Sequence, residues 1–460
     1  MAAGKGTRLK SKRPKVLHEI GGRALVLHVI AAAKTVVPAD HIYCIVGHEA
    51  ERVKAAVAAT GVRFVLQAEQ LGTGHALQMV KAYFALSGEQ APEHLLVLSG
   101  DVPLIRPETI ASICEVHLQE KAAMTILTAV PDDLHGYGRV LRASADAPEV
   151  MAIVEQKSLL PEQMGAPEIN SGIYCFKTKA LFSKLDSLST DNPHGEFYLT
   201  DVAAMLVADG ERVVAVKADR VDEVLGANTI AEMMHLDAAM RLATAKRLMA
   251  NGVTIFRPET CVIDTEVTVG ADTVIEPYVQ LLGATHVGSE CLIRSYSVIQ
   301  NSSLGDNVTV RNGCILDTAE VANGAILGPY SHLRPESRIG EGAHVGNFVE
   351  TKKTTLGKGS KANHLSYLGN ATIGAKVNVG AGTITCNYDG VHKHQTTIGD
   401  GVFVGSDSTL VAPVTLGAGA YIAAGSCITE DVPEGALALG RSRQTNKPGW
   451  VAAKKPKKDC

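Results

Sequence analysis

Three groups of residues carry the chemistry that this sequence could perform. The chain opens Met1-Ala-Ala-Gly-Lys-Gly-Thr-Arg8, followed by Lys12, Arg13, Pro14 and Lys15. Glycines let backbone N–H groups approach phosphate oxygens, and Arg8 and Lys15 can neutralise a triphosphate. Asp101 closes an apolar run, Leu95-Leu-Val-Leu, where a carboxylate offers hard oxygen to a cation or caps a strand end. Far downstream, His364 stands in Asn363-His-Leu-Ser-Tyr-Leu-Gly369, an imidazole that titrates near neutrality and can move a proton.

These groups need elements to hold them. From Ala24 to about Val224, apolar strand-like runs (41–46, 95–98, 124–130) alternate with helical stretches (50–59, 107–120), the pattern of an α/β domain with a largely parallel sheet. Residues 229–250 keep apolar residues at helical spacing without Gly or Pro and read as a linking helix. Beyond Gly252 the period becomes six, at Val269, Ile275, Leu281, Val287, Ile293 and Ile299, and again from Ile398 to Ile428, with Gly often following. Each unit is a short strand plus a turn, and three make one triangular coil with an aliphatic interior, a parallel β-helix. That interior accounts for only 4% aromatic residues and one Trp beside 44 glycines. The register breaks over 384–397, which should leave the coil as a loop and marks a place for a site. The expected division is 1–224, 225–252 and 253–460, with Lys454 to Cys460 a solvated tail.

Bulk properties exclude several classes. Charges nearly cancel, 48 acidic against 44 basic for a net −4, so no global field favours nucleic acid or an anionic membrane, and an anionic ligand must meet local cations. Nine scattered cysteines form no metal or disulfide spacing, and no run nears the ~18 apolar residues of a membrane span. A cytoplasmic protein is expected.

Joined to Leu66-Gln-Ala-Glu-Gln-Leu-Gly-Thr-Gly-His75 and Leu98-Ser-Gly-Asp-Val-Pro-Leu104, the Gly-rich start resembles the sugar-phosphate nucleotidyltransferases. With the repeat, almost the full chain resembles the bifunctional N-acetylglucosamine-1-phosphate uridylyltransferase/glucosamine-1-phosphate N-acetyltransferases. The strings Gly346-Asn-Phe-Val-Glu350, 363–369 and Asn378-Val-Gly-Ala-Gly-Thr-Ile-Thr-Cys-Asn-Tyr-Asp-Gly390 match the acetyltransferase half. The resemblance implies a Rossmann-like nucleotidyltransferase domain joined by a helix to a left-handed β-helix of hexapeptide repeats, and a homotrimer with acetyl-transfer sites shared between chains.

Site roles follow from the same resemblance. Arg8 and Lys15 are the implied catalytic cations on the UTP phosphates; Met1, Ala2, Ala3, Gly4, Lys15 and Asn228 should bind UTP or UDP-N-acetylglucosamine, with Gln67, Gly72 and Thr73 at the uracil and Gly138, Glu155, Asn170, Tyr198 and Thr200 at the sugar. Asp101 and Asn228 are implied ligands of Mg²⁺, with Mn²⁺ an alternative; Asn228 could equally cap the following helix. In the second half His364 is the implied general base. Arg334 and Lys352 clamp the phosphate of glucosamine-1-phosphate, with Tyr367, Asn378 and Lys393 around its sugar. Ala381, Asn387, Tyr388, Ser406, Ala424 and Arg441 contact acetyl-CoA, although Ser406 and Ala424 serve as turn residues of the coil in any case. The alternative is a sugar-1-phosphate nucleotidyltransferase whose β-helix is only structural or regulatory. Family members begin with an apolar strand that leads into the Gly-rich turn, whereas Met1 lies inside the turn, so that loop is expected to lack its anchor in the sheet.

Overall fold

The computed structural model describes residues 1–144 and 147–454, so most of the expected tail lies outside the described residues. The chain packs as two units, Met1–Met240 and Arg241–Cys460, and the division falls within the helix Ile230–Ala250.

In the first unit the strand-like runs become Tyr43–Val46, His94–Val97 and Met124–Ala129, and the helical runs become Ala50–Val57 and Pro107–Gln119. Parallel pairing joins Tyr43–Val46 to Arg63–Leu66, and Val213–Lys217 to Met124–Ala129. The sheet is more mixed than the sequence pattern predicts, because the nine-residue strand Ile169–Lys177 runs antiparallel to His94–Val97, Met124–Ala129 and Arg139–Arg142. Alternating burial sets which face a strand shows and leaves its direction open.

The Gly-rich loop is anchored after all. Ala2 pairs in parallel with Val46, its N–H reaching Ile45 O at 2.8 Å, and Ala3 O accepts from His48 N at 3.1 Å. On the other side Met1 O accepts from Gly100 N at 2.9 Å, and the Met1 amine donates to Leu98 O at 2.6 Å. One extended segment therefore bridges Tyr43–Val46 and His94–Val97, which must stand two strand spacings, about 10 Å, apart. Behind it a cavity of about 580 Å³ opens between those strands, lined by Cys44, Leu96, Val29, Ile30, Val80 and Phe84 among others. Its walls are mainly aliphatic, with Arg63, Glu89, His94 and His117 also on the lining.

Beside this cavity His117 is 1% exposed; its ring contacts the His94 ring at 3.0 Å and Thr125 Oγ1 at 2.9 Å. Burial, and then the neighbouring His94, lowers its pKa from 6.5 to about 4. The folded state thus refuses a proton that the unfolded chain accepts, so this contribution to stability is complete above about pH 6.5 and declines as pH falls towards 4. Melting curves against pH should show the decline in the parent and a weaker one in His117→Gln. Parallel curves would remove His117 as its source.

The second unit is a parallel β-helix. Its strands form an eleven-stranded sheet and a seventeen-stranded one that bends round a corner, and every named pairing links successive coils in parallel. The hexad residues Ile275, Leu281, Val287, Ile293 and Ile299 are fully buried, as are Val404, Leu410, Leu416 and Ile422. The excursion is shorter than the hexad pattern predicts: Ile384–Cys386 still pairs with Thr409–Val411, and Thr396–Ile398 with Val414–Leu416, so only 387–395 leaves the coil.

Candidate functional site

In the first unit the candidates converge on two linked clusters. Gly6, at φ 63°, turns the loop so that Arg8 and Lys15 face back; a Cβ there would lie 2.6 Å from Lys15 Cβ. Arg8 Nη2 and Lys15 Nζ both donate to Asn228 Oδ1 at 2.8 Å, and Lys15 also forms an ion pair with Asp101. Gly226 lets Asp101 approach, since a Cβ on it would lie 3.3 Å from Asp101 Oδ2. Two oxygen donors from separate segments thus already share one cation, the Lys15 ammonium. A carboxylate and an amide oxygen converging in this way fit a hard divalent metal that takes its remaining ligands from water and phosphate. Asn228 also serves the helix start, where its N–H and that of Thr229 donate to Glu232 Oε2.

The second cluster surrounds Glu155. Thr200 Oγ1 donates to Glu155 Oε1 at 3.2 Å; a Cβ on Gly138 would lie 3.5 Å from Glu155 Oε2. Burial raises the Glu155 pKa, opposed by the Thr200 hydrogen bond and by His194. Asn170 N donates to Gly138 O at 2.9 Å, and its Oδ1 accepts from Tyr174 Oη at 2.8 Å. Tyr198 is buried, its hydroxyl bonded to His194. The loop expected to read uracil is tied to this cluster, because Gly74 N donates to Phe197 O at 2.7 Å and Leu199 N to Thr73 Oγ1 at 3.1 Å. Gln67 is 3% exposed and spends its amide nitrogen on Gly72 O at 3.0 Å, so its donor half shapes the loop. Tyr137 was not singled out from the sequence. Burial raises its pKa, followed by Glu232, and its hydroxyl senses Asp101 and Arg8 of the first cluster, while its chain neighbour Gly138 belongs to the second.

On the β-helix, strand register arranges the candidates in columns. Asn347 pairs with His364, and carrying the registers of the neighbouring strands forward three residues sets Ala381, Ser406 and Ala424 in the same column on successive coils. Arg441 lies alongside, its Cδ 3.9 Å from where a Cβ of Gly425 would stand. Round the corner Lys352 pairs with Gly369, and Arg334 N donates to Thr351 O. The Tyr367 hydroxyl reaches over Gly369. Lys393 and then Arg334 lower the Lys352 pKa, the mark of three cations crowded without enough anion between them. The Arg334 guanidinium donates to Glu350 Oε1 at 2.7 Å.

Lys393 comes from the excursion, a small hairpin closed by the Tyr388–Lys393 bridge. Asp389 braces it by accepting from Val391 N, His392 N and the His394 ring, which together hold its carboxyl well below the usual range. Asp389 is a supporting residue that the sequence did not single out. Asn387 Nδ2 donates to Asn370 Oδ1 at 2.7 Å, pinning the loop base. Asn378 shares a column with Lys361 and Phe403, three residues before Ala381.

Residues 1–248 match the MobA-like NTP transferase domain family, and residues 395–430 match the bacterial transferase hexapeptide family, six repeats. A relative named bifunctional protein GlmU, from Koribacter versatilis (strain Ellin345), is 59% identical over 456 residues, covering 99% of this chain and 96% of its own. The chain belongs to the bifunctional GlmU family. GlmU proteins of Solibacter usitatus (strain Ellin6076) and Trichlorobacter lovleyi (strain ATCC BAA-1151 / DSM 17278 / SZ) are 48% and 45% identical, covering 100% and 99% of this chain and 97% and 98% of their own. Because the GlmU match runs through both units, neither half is an unrelated appendage. No helix among the described residues is long and apolar enough to cross a membrane.

Proposed function

We propose that the chain acetylates glucosamine-1-phosphate with acetyl-CoA and then joins the product to UTP, giving UDP-N-acetylglucosamine and pyrophosphate. The observation that carries this reading is the presence, in one chain, of the Lys15–Asp101–Asn228 cluster and of the His364 column beside the Arg334–Lys352–Lys393 cations.

On the β-helix the three cations hold the dianionic phosphate, Arg334 through its planar fork. The sugar amine attacks the acetyl carbon as His364 takes its proton; the C–S bond breaks, and the proton passes to the coenzyme A thiolate. An N–H at Ala381 is the donor assigned to the thioester oxygen, with Asn387, Tyr388, Ser406, Ala424 and Arg441 along the cofactor. In the first unit the sugar-phosphate oxygen attacks the α-phosphorus of UTP in line. Lys15 and Arg8 neutralise the phosphates, while the Glu155 cluster fixes the sugar hydroxyls. Asp101 and Asn228 would hold Mg²⁺, or Mn²⁺ in its place, and the ion would supply positive charge to the phosphate oxygens. A cytoplasmic homotrimer is the assembly proposed.

A β-helix that only supports a nucleotidyltransferase is not favoured, because the GlmU match extends over 99% of the chain and includes the His364 column. Separate assays of coenzyme A release and pyrophosphate release test the reading. Pyrophosphate release alone would return the β-helix to a structural role.

A further inference from the structure

We propose that Asn347 is a positioning residue for acetyl transfer: its amide oxygen holds the Nδ1 proton of His364 and leaves Nε2 as the basic nitrogen. The inference rests on His364 being the general base, and adds which ring nitrogen acts and what holds the ring.

Asn347 and His364 are register partners on adjacent coils, and Asn347 Oδ1 lies 2.8 Å from His364 Nδ1. Their backbones are fixed by the same corner. Phe348 and Leu365, the next residue in each case, take left-handed conformations at φ 57° and 49°. Leu365 N donates to Asn347 O at 3.1 Å, while His364 O accepts from Ser366 Oγ at 2.9 Å. Rotation of the imidazole is what remains free, and the amide removes it.

The chemistry follows from the inventory of donors and acceptors. An amide oxygen only accepts, so the nitrogen facing it carries the hydrogen. A neutral imidazole has one N–H, which leaves the lone pair on Nε2. When Nε2 takes the amine proton, the amide dipole favours the imidazolium but cannot accept a proton itself, so the proton can leave only through Nε2. A carboxylate in this position would raise the ring pKa; the nearby carboxylate, Glu350, is instead paired with Arg334 at 2.7 Å. His344 also senses the His364 charge; burial lowers its own pKa, helped by Arg311 and Lys361.

The test compares the full-length parent with Asn347→Ala, Asn347→Asp and His364→Ala, measuring kcat and KM for glucosamine-1-phosphate against pH. The ¹⁵N shifts of the His364 ring and the melting temperature of each variant are recorded alongside. Asn347→Ala should lower kcat by about 10–100-fold, the range for losing a partner that orients a histidine, with KM little changed and the ring tautomer mixed. Asn347→Asp, of the same shape, should raise the acidic inflection by roughly one pH unit or more. If Asn347→Ala does not fold, the Asn347→Asp profile and the parent tautomer decide. An unmoved inflection in Asn347→Asp, or a parent ring protonated at Nε2, overturns the inference. A near-normal rate in His364→Ala overturns it together with the reading beneath it. Collapse of His364→Ala while both Asn347 variants behave as the parent overturns the inference alone.

Discussion

Replacing His364 by alanine should lower the acetyl-transfer rate by roughly 10²–10⁴, the usual range for general-base catalysis, with little change in affinity for the acceptor. The glucosamine amine is largely protonated at neutral pH and attacks only once its proton has gone, whereas Arg334, Lys352 and Lys393 supply binding and are untouched. Arg334→Ala should do part of the reverse and raise KM. Pyrophosphate release should survive both changes, because the His364 column belongs to the second unit and the Lys15 cluster to the first. The rate measured against pH decides: a neutral inflection and near-normal rate in His364→Ala would remove this residue from the mechanism.

The second large effect is at Asp101. Asp101→Asn should abolish metal-dependent pyrophosphate release and leave coenzyme A release largely intact. Asp101 and Asn228 are the two oxygens that share the Lys15 ammonium, and removing the carboxylate leaves one neutral donor where a divalent cation needs charge. The amide would still fit beside Gly226, so the loss would be electrostatic. Calorimetric titration of the folded variant with Mg²⁺ should show weakened binding. A variant that keeps metal-dependent turnover would exclude Asp101 as a ligand, and loss of both activities in a folded variant would contradict the independence of the sites.

The sequence made the β-helix legible because one buried position in each six is aliphatic, and aliphatic residues hold that register from Ile275 to Ile299 and from Ile398 to Ile428. It misplaced the start of the excursion because Thr385 fills an inward position with a hydroxyl, accepting from Gly369 N at 2.7 Å, where the pattern asks for an aliphatic residue. The antiparallel course of Ile169–Lys177 was hidden for another reason, since strand alternation reads the same in either direction. Among site residues, those in long distinctive strings could be marked. Tyr137, Asp389 and Asn347 were not marked, although Asn347 and Asp389 lie inside such strings, because a Tyr, an Asp and an Asn have ordinary duties there and only their neighbours in space give them others.

The column that carries His364 and Ala381 also works as a ruler. Its graduations are the coils, each about 4.8 Å above the last, and each site residue is assigned to one rung. Duplicating one complete coil between the rungs of Ala381 and Ser406 would keep every inward aliphatic residue in phase, and so preserve the fold, while lengthening the track for a bound cofactor by one graduation. Adding a single residue at a turn would leave both the length and the interior unchanged, because buried partners on successive coils already stand 17 residues apart at Val287 and Leu304 and 18 apart at Leu281 and Ile299. The length of the cofactor track is therefore set by the number of whole coils, while turns and excursions take up smaller insertions without changing it.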